Sequence, residues 1–132
     1  MMLDSAPRIL EDKRILVVED TPENRKLFRA VLQLEGAEVF EASGALQGIE
    51  IAGRELPDLI LMDIQMPGVD GLEATRRLRA DPRTASIPVV AVTASVMERD
   101  RNQTIEAGCN SLIAKPIDPA LFGQQIASFI QD

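Results

Sequence analysis

The chain has no histidine, no tryptophan, no tyrosine and a single cysteine in 132 residues. Without histidine, an imidazole-based metal site or catalytic triad is excluded, and chemistry that needs an imidazole must take it from a partner. Cys109 cannot close an internal disulfide; it reads as a buried, inert thiol, which fits a reducing cytoplasm. Basic residues are scarce, 14 Lys and Arg against 21 Asp and Glu, for a net charge of -7. That balance argues against binding a nucleic-acid backbone or an anionic membrane surface. No apolar run approaches the roughly 18 residues of a membrane span. The opening Met1-Met2-Leu3-Asp4-Ser5 lacks the basic and apolar regions of a signal peptide. Internal repeats, low-complexity stretches and linkers are also missing. One domain is expected over residues 13–132, after a mobile N-terminal tail at residues 1–12.

What is present is a rhythm of short apolar runs and helical patterns. With 45% apolar residues the chain can bury a sizeable core. Leu59-Ile60-Leu61-Met62 ends abruptly in Asp63, and the turn residues Pro67, Gly68 and Gly71 follow. Such a run reads as a strand buried on both faces. Ile15–Val18, Ala37–Ala42, Ile87–Val92 and Ser111–Ala114 read as four further strands. Thr21-Pro22-Glu23, Ser43, Asp70 with Glu73, Ser95 with Glu98, and Asp118-Pro119 each read as a helix start. Inward positions are expected at Leu27, Phe28, Val31 and Leu32, then at Leu46, Ile49 and Ala52, and finally at Phe122, Ile126, Phe129 and Ile130. Five strands alternating with five helices demand an α/β fold, a doubly wound parallel sheet with helices on both faces. The order 2-1-3-4-5 is expected for this length. The fourth helix carries Glu98-Arg99-Asp100-Arg101-Asn102-Gln103-Thr104 without a large apolar residue, so it should be among the least stable elements.

Polar residues gather at the carboxyl ends of these strands: Glu19 and Asp20, Asp63, Thr93 and Lys115. Each has a plain alternative as a cap, a turn former or an exposed lysine. Together they converge on one crevice of the expected topology, where open α/β sheets bind ligands. Three carboxylates would meet one ammonium there. At ~5 Å and an effective dielectric of ~20, each like-charged pair costs roughly 3 kcal/mol, so the cluster favours a cation. Oxygen-only donors favour Mg²⁺ (or Mn²⁺) over softer metals. Beside that ion and Lys115, Asp63 is held ionised as a nucleophile of the kind that forms aspartyl phosphates.

The motifs Glu19-Asp20, Asp63 with Met66-Pro67-Gly68-Val69-Asp70-Gly71, Thr93-Ala94 and Lys115-Pro116 carry a resemblance. Over about residues 13–131 the chain resembles the receiver domain of two-component response regulators, and is similar to stand-alone cell-cycle receivers and to receivers of hybrid kinases. The resemblance implies a flavodoxin-like receiver fold in which Asp63 accepts a phosphoryl group from a phosphohistidine of a histidine kinase or phosphotransfer protein. It implies that Asp20, Asp63 and the backbone carbonyl of Gln65 hold Mg²⁺, with Glu19 direct or through water. Lys115 would pair with Asp63 and then with the phosphoryl oxygens, which the Thr93 hydroxyl and the Ala94 amide would also bond. The Lys115-Pro116 bond is expected to be cis. Output would pass to a protein through the fourth helix, fifth strand and fifth helix, with no output domain and no turnover of an external substrate. A receiver excised from a hybrid kinase is the alternative.

The chain departs from that pattern at Leu112, where an aromatic switch residue is usual, so a switch through Thr93 and Leu112 would rely on aliphatic repacking. Glu19 stands in place of the commoner Asp. Gln65 and Ser95 occupy positions that tune phosphate lifetime. Two competing classes fit less well. A haloacid-dehalogenase-type phosphatase would carry an Asp where Gln65 stands, and a flavodoxin-like cofactor binder would not place Glu19-Asp20 against a phosphate.

Overall fold

The computed structural model describes residues 8–66, 68–94 and 98–130, with residues 98–100 as backbone only. Its elements alternate as β1 (Arg14–Val18), α1 (Pro22–Leu34), β2 (Glu38–Ala42), α2 (Ala45–Glu55), β3 (Leu59–Asp63), α3 (Gly71–Ala80), β4 (Val89–Thr93), α4 (Glu98–Glu106), β5 (Ser111–Ala114) and α5 (Pro119–Ala127). The strands pair in parallel, as the alternation requires, and in the order β2-β1-β3-β4-β5, the one expected for this length.

All five residues of β3 and of β4 are buried, because helices cover both faces of the sheet and leave no side for polar alternation. One face packs Ile15, Val17, Leu61 and Val92 against Phe28 and Leu32 of α1 and Phe122 and Ile126 of α5. There the rings of Phe28 and Phe122 stack with centroids 5.6 Å apart. The other face packs Val18, Ile60, Met62 and Ala91 against Ala52 of α2 and Ala74 and Leu78 of α3. Register then sets the edge. Val18 lies opposite Met62 and Thr93 opposite Ala114, so Glu19 and Asp63 leave adjacent strands side by side, and Lys115 leaves beside Thr93.

Several expectations need correction. Leu10, placed in the tail from sequence, is fully buried, and its N–H donates to the Glu35 carbonyl at 2.9 Å. Residues 8–12 therefore pack on the domain as a turn, while residues 1–7 lie outside the described residues. Leu27 and Leu46 are exposed rather than inward. On α2 the buried residues are Ala45, Gly48, Ile51 and Ala52, since the helix lies close to β1. A Cβ at Gly48 would stand 2.7 Å from Val18 Cγ2, so only small residues fit that contact. Ser43 does not cap α2; Gly44 does, and the Ser43 hydroxyl donates to Gln47 Oε1. Thr21 occupies the cap position of α1 but its side chain makes no capping bond. Asp70 and Asp118 do cap, accepting from the Glu73 and Ala120 amides. Ser95, the cap of the expected Ser95–Glu98 box, lies outside the described residues, as does Pro67. The Lys115-Pro116 bond is cis.

Two features of the fold bear on the site and are testable. Gly71 opens α3 directly against β3: an added Cβ would overlap the Asp63 carbonyl oxygen and stand 2.9 Å from Ile64 Cα. Gly71→Ala is expected to cost about 1–3 kcal/mol in urea unfolding, the range for overpacking against rigid neighbours. Wild-type stability would mean that α3 can slide off β3. Helix α4 is anchored weakly: from Arg101 to Glu106 only Thr104 is buried, and Ile105 is 49% exposed. Its amides are expected to exchange fastest among the helices in a hydrogen-exchange experiment, and protection equal to that of α1 would refute the point.

Candidate functional site

Asp63 ends β3 with 2% of its surface exposed. Its Oδ1 accepts the Gln65 amide at 3.0 Å, the turn beyond the strand having folded back on the carboxylate. The Asp63 carboxyl is pushed up to about 6, chiefly by burial and further by the neighbouring Glu19, against the pull of the Gln65 amide and the smaller pull of Lys115. Glu19 is fully buried at the end of β1. Its Oε2 accepts the Thr21 amide at 3.1 Å, while Oε1 is buried without a hydrogen bond. Asp20 is partly exposed, and Glu19, Asp20 and Asp63 each offer an oxygen within 4.8 Å of the others.

Lys115 enters from the loop after β5, its amide held by the Thr93 carbonyl at 2.8 Å. Its Nζ stands 3.2 Å from Glu19 Oε1 and 3.5 Å from Asp63 Oδ2. The ammonium therefore sits between the two buried carboxylates. Thr93 is buried at the tip of β4 and Ala94 is exposed just beyond it. Leu112 on β5 is half-buried against the sheet face that holds Met62 and Ala91. Gln65 is exposed, and Ser95 lies outside the described residues. Glu19, Asp20, Asp63 and Lys115 are thus brought together, with Thr93 one hydrogen bond along the backbone from Lys115.

The donor set fits a hard divalent cation. It consists of oxygens only: three carboxylates lie within reach of one another, two of them, Glu19 and Asp63, share the Lys115 ammonium, and Glu19 Oε1, buried and accepting no hydrogen bond, has that ammonium at 3.2 Å. One contributor was not singled out from sequence. Arg25, in the first turn of α1, donates from Nη1 to the Glu19 carbonyl at 2.8 Å and from Nε to Glu41 Oε1 at 3.2 Å. A cation near a helix N-terminus opposes the helix dipole, and that misfit was the available signal.

The profile of the response regulator receiver domain matches residues 15–127. The chain belongs to that family. This receiver is 41% identical over 120 residues to the polar-differentiation response regulator DivK of Brucella anthropi, across 91% of its own length and 98% of that regulator. DivK of Brucella ovis matches to the same extent. Among solved structures, the receiver domain of sensor histidine kinase PA1611 from Pseudomonas aeruginosa is 35% identical with a TM-score of 0.83, covering 89% of this chain and 97% of that one. That structure carries a magnesium ion coordinated in its active site cleft. The BeF3-activated receiver domain of Klebsiella pneumoniae RstA is 29% identical with a TM-score of 0.82, covering 90% and 99%. Receivers are phosphoacceptor domains of two-component signalling that bind Mg²⁺ in an acidic pocket and act with histidine kinases or phosphotransfer proteins, so the dehalogenase and flavodoxin readings fall away. Among the described residues no helix is long and apolar enough to cross a membrane.

Proposed function

We propose that this receiver takes a phosphoryl group on Asp63 from a phosphohistidine and signals through protein contacts, as a DivK-like regulator in the cytoplasm. The observation that carries the reading is Lys115 Nζ standing between the buried carboxylates of Glu19 and Asp63. An Asp63 oxygen attacks phosphorus, the P–N bond breaks, and its electron pair returns to the donor imidazole, which is the group this chain lacks. Asp20, Asp63 and the Gln65 carbonyl would hold Mg²⁺, with Glu19 beside them. The bound ion spreads the negative charge of the transferring group. Lys115 shifts its ammonium from Asp63 to a phosphoryl oxygen, and the Thr93 hydroxyl and Ala94 amide donate to the others.

Thr93 drawn toward the phosphoryl group would bias the weakly anchored α4, with Leu112 repacking, and so alter the α4–β5–α5 surface offered to a downstream protein. The net charge of -7 supports a protein partner over nucleic acid or membrane. The likeness to the PA1611 receiver supports a second reading, a receiver segment of a hybrid kinase, with the same chemistry at Asp63. The test is incubation with labelled acetyl phosphate and Mg²⁺. An acid-stable, base-labile label on Asp63 is expected; a chain that stays unlabelled, or carries the label elsewhere, refutes the reading.

A further inference from the structure

The Glu19–Asp20 peptide unit joins two of the three carboxylates, so its orientation sets where both side chains aim. Its plane is gripped on one side, and the preceding one on the other. The Glu19 N–H donates to the Ala42 carbonyl of β2 at 3.0 Å, and the Glu19 carbonyl accepts from Arg25 Nη1 at 2.8 Å. Rotation of the Glu19–Asp20 peptide would break the second bond and swing Asp20. Arg25 is itself oriented. Glu41 of β2 accepts its Nε at 3.2 Å, and Glu41 is held in turn by Arg29 Nη1 at 2.8 Å. The Arg25 side chain is 21% exposed and Glu41 28%, so this relay is partly shielded from water. Glu41 also serves as counter-ion, which leaves the guanidinium on the main chain instead of among the acids.

Side chains on a helix lean toward its N-terminus, so a residue in the first turn of α1 is placed to reach the carbonyl that precedes the helix. The helix dipole opposes a cation at that position.

We infer that Arg25, oriented by Glu41, is a positioning residue for the cation site: it fixes the Glu19–Asp20 peptide so that both carboxylates face Asp63. The inference rests on the proposed Mg²⁺-dependent function. It makes Arg25 important for metal binding although the guanidinium touches neither the metal-ligating carboxylates nor the phosphoryl group.

The test uses the full chain and the variants Arg25→Met, Arg25→Lys and Glu41→Gln. With no tryptophan or tyrosine to report, Mg²⁺ binding is followed by calorimetry and by amide resonances. Arg25→Met is expected to weaken Mg²⁺ binding on the order of tenfold, the lower end for losing a group that orients metal ligands. In acetyl phosphate labelling, the half-saturating Mg²⁺ concentration should rise by a similar factor while the rate at saturating Mg²⁺ changes less. Arg25→Lys should recover part of the loss, and Glu41→Gln should show a smaller shift in the same direction. In metal-free protein the Asp20 amide and Glu19 carbonyl resonances should move in Arg25→Met, reporting the broken bond directly. Unchanged Mg²⁺ affinity in Arg25→Met overturns the inference. Should that variant fail to fold, unchanged affinity in both Arg25→Lys and Glu41→Gln overturns it equally. A wild-type chain that binds Mg²⁺ but takes no phosphoryl group counts against the proposed function alone, because the affinity comparison still stands.

Discussion

Asp63→Asn is expected to remove phosphoryl labelling and, in the same protein, to raise metal-free stability at pH 7. The first effect follows from chemistry: an amide is no nucleophile toward phosphorus, while Asn can still accept the Gln65 amide and so keep the loop in place. The second follows from linkage. The Asp63 carboxyl is pushed up to about 6 in the folded chain, from 3.8, chiefly by burial. The folded state therefore holds more proton than the unfolded state between those values, and stability falls as pH rises from 4 to 6. Above pH 6 the whole penalty is present, up to about 3 kcal/mol for a shift of this size. Removing the charge should recover most of it in EDTA at pH 7 and little at pH 4, where the native carboxyl is already protonated. Thermal melts at both pH values measure the difference. A variant less stable than wild type at pH 7 would mean that the buried charge is fully compensated without metal. The same proton makes Mg²⁺ binding weaker as pH falls below 6, since the ion must displace it.

The strands were legible because each buried strand is a continuous apolar run, and a parallel sheet covered on both faces needs nothing subtler. The parallel sheet followed from the alternation of elements, the strand order from the chain length among the common doubly wound orders, and the convergence of Glu19, Asp20, Asp63 and Lys115 from that order. Helix faces were less legible. Side-chain size pointed to Leu46 as an inward residue, but Gly48 packs on Val18 and turns Leu46 outward. Close approach of a helix to a sheet selects for small residues, which carry no hydrophobic signal. Leu10 was missed for another reason: a lone apolar residue in a polar stretch has no period to reveal it. Arg25 was missed because its partner is a main-chain carbonyl, and carbonyls have no letter in a sequence. That Lys115 pairs with Glu19 as well as with Asp63, at 3.2 and 3.5 Å, is side-chain geometry that no spacing rule carries.

Lys115→Ala should then show what the ammonium does before any phosphoryl group arrives. Among the described residues, Lys115 is the cation paired with both Glu19 and Asp63, which are 0% and 2% exposed. Its loss leaves two buried carboxylates without their counter-ion. Breaking a buried pair this way costs about 3–5 kcal/mol when the remaining charge has no escape. Here Asp63 can take up a proton, and the lysine is itself 21% exposed, so a loss of about 2 kcal/mol at pH 8 in EDTA is expected. The sign with pH is fixed. Removing the ammonium raises the Asp63 carboxyl further above about 6, which adds a penalty for ionised Asp63 that grows as pH rises through that value. The gap between variant and wild type should therefore widen from pH 5 to pH 8, modestly, because Lys115 is the smallest of the influences on Asp63 and its other partner, Glu19, loses the same counter-ion. Saturating Mg²⁺ should narrow it at pH 8, because the divalent ion supplies the missing positive charge and binds only the folded chain. Phosphoryl-dependent partner binding should stay lost even then, since no ammonium is left to hold the transferred group. A gap that keeps one size from pH 5 to pH 8, with and without Mg²⁺, would show that Lys115 packs at the mouth of the site without bearing on its charge.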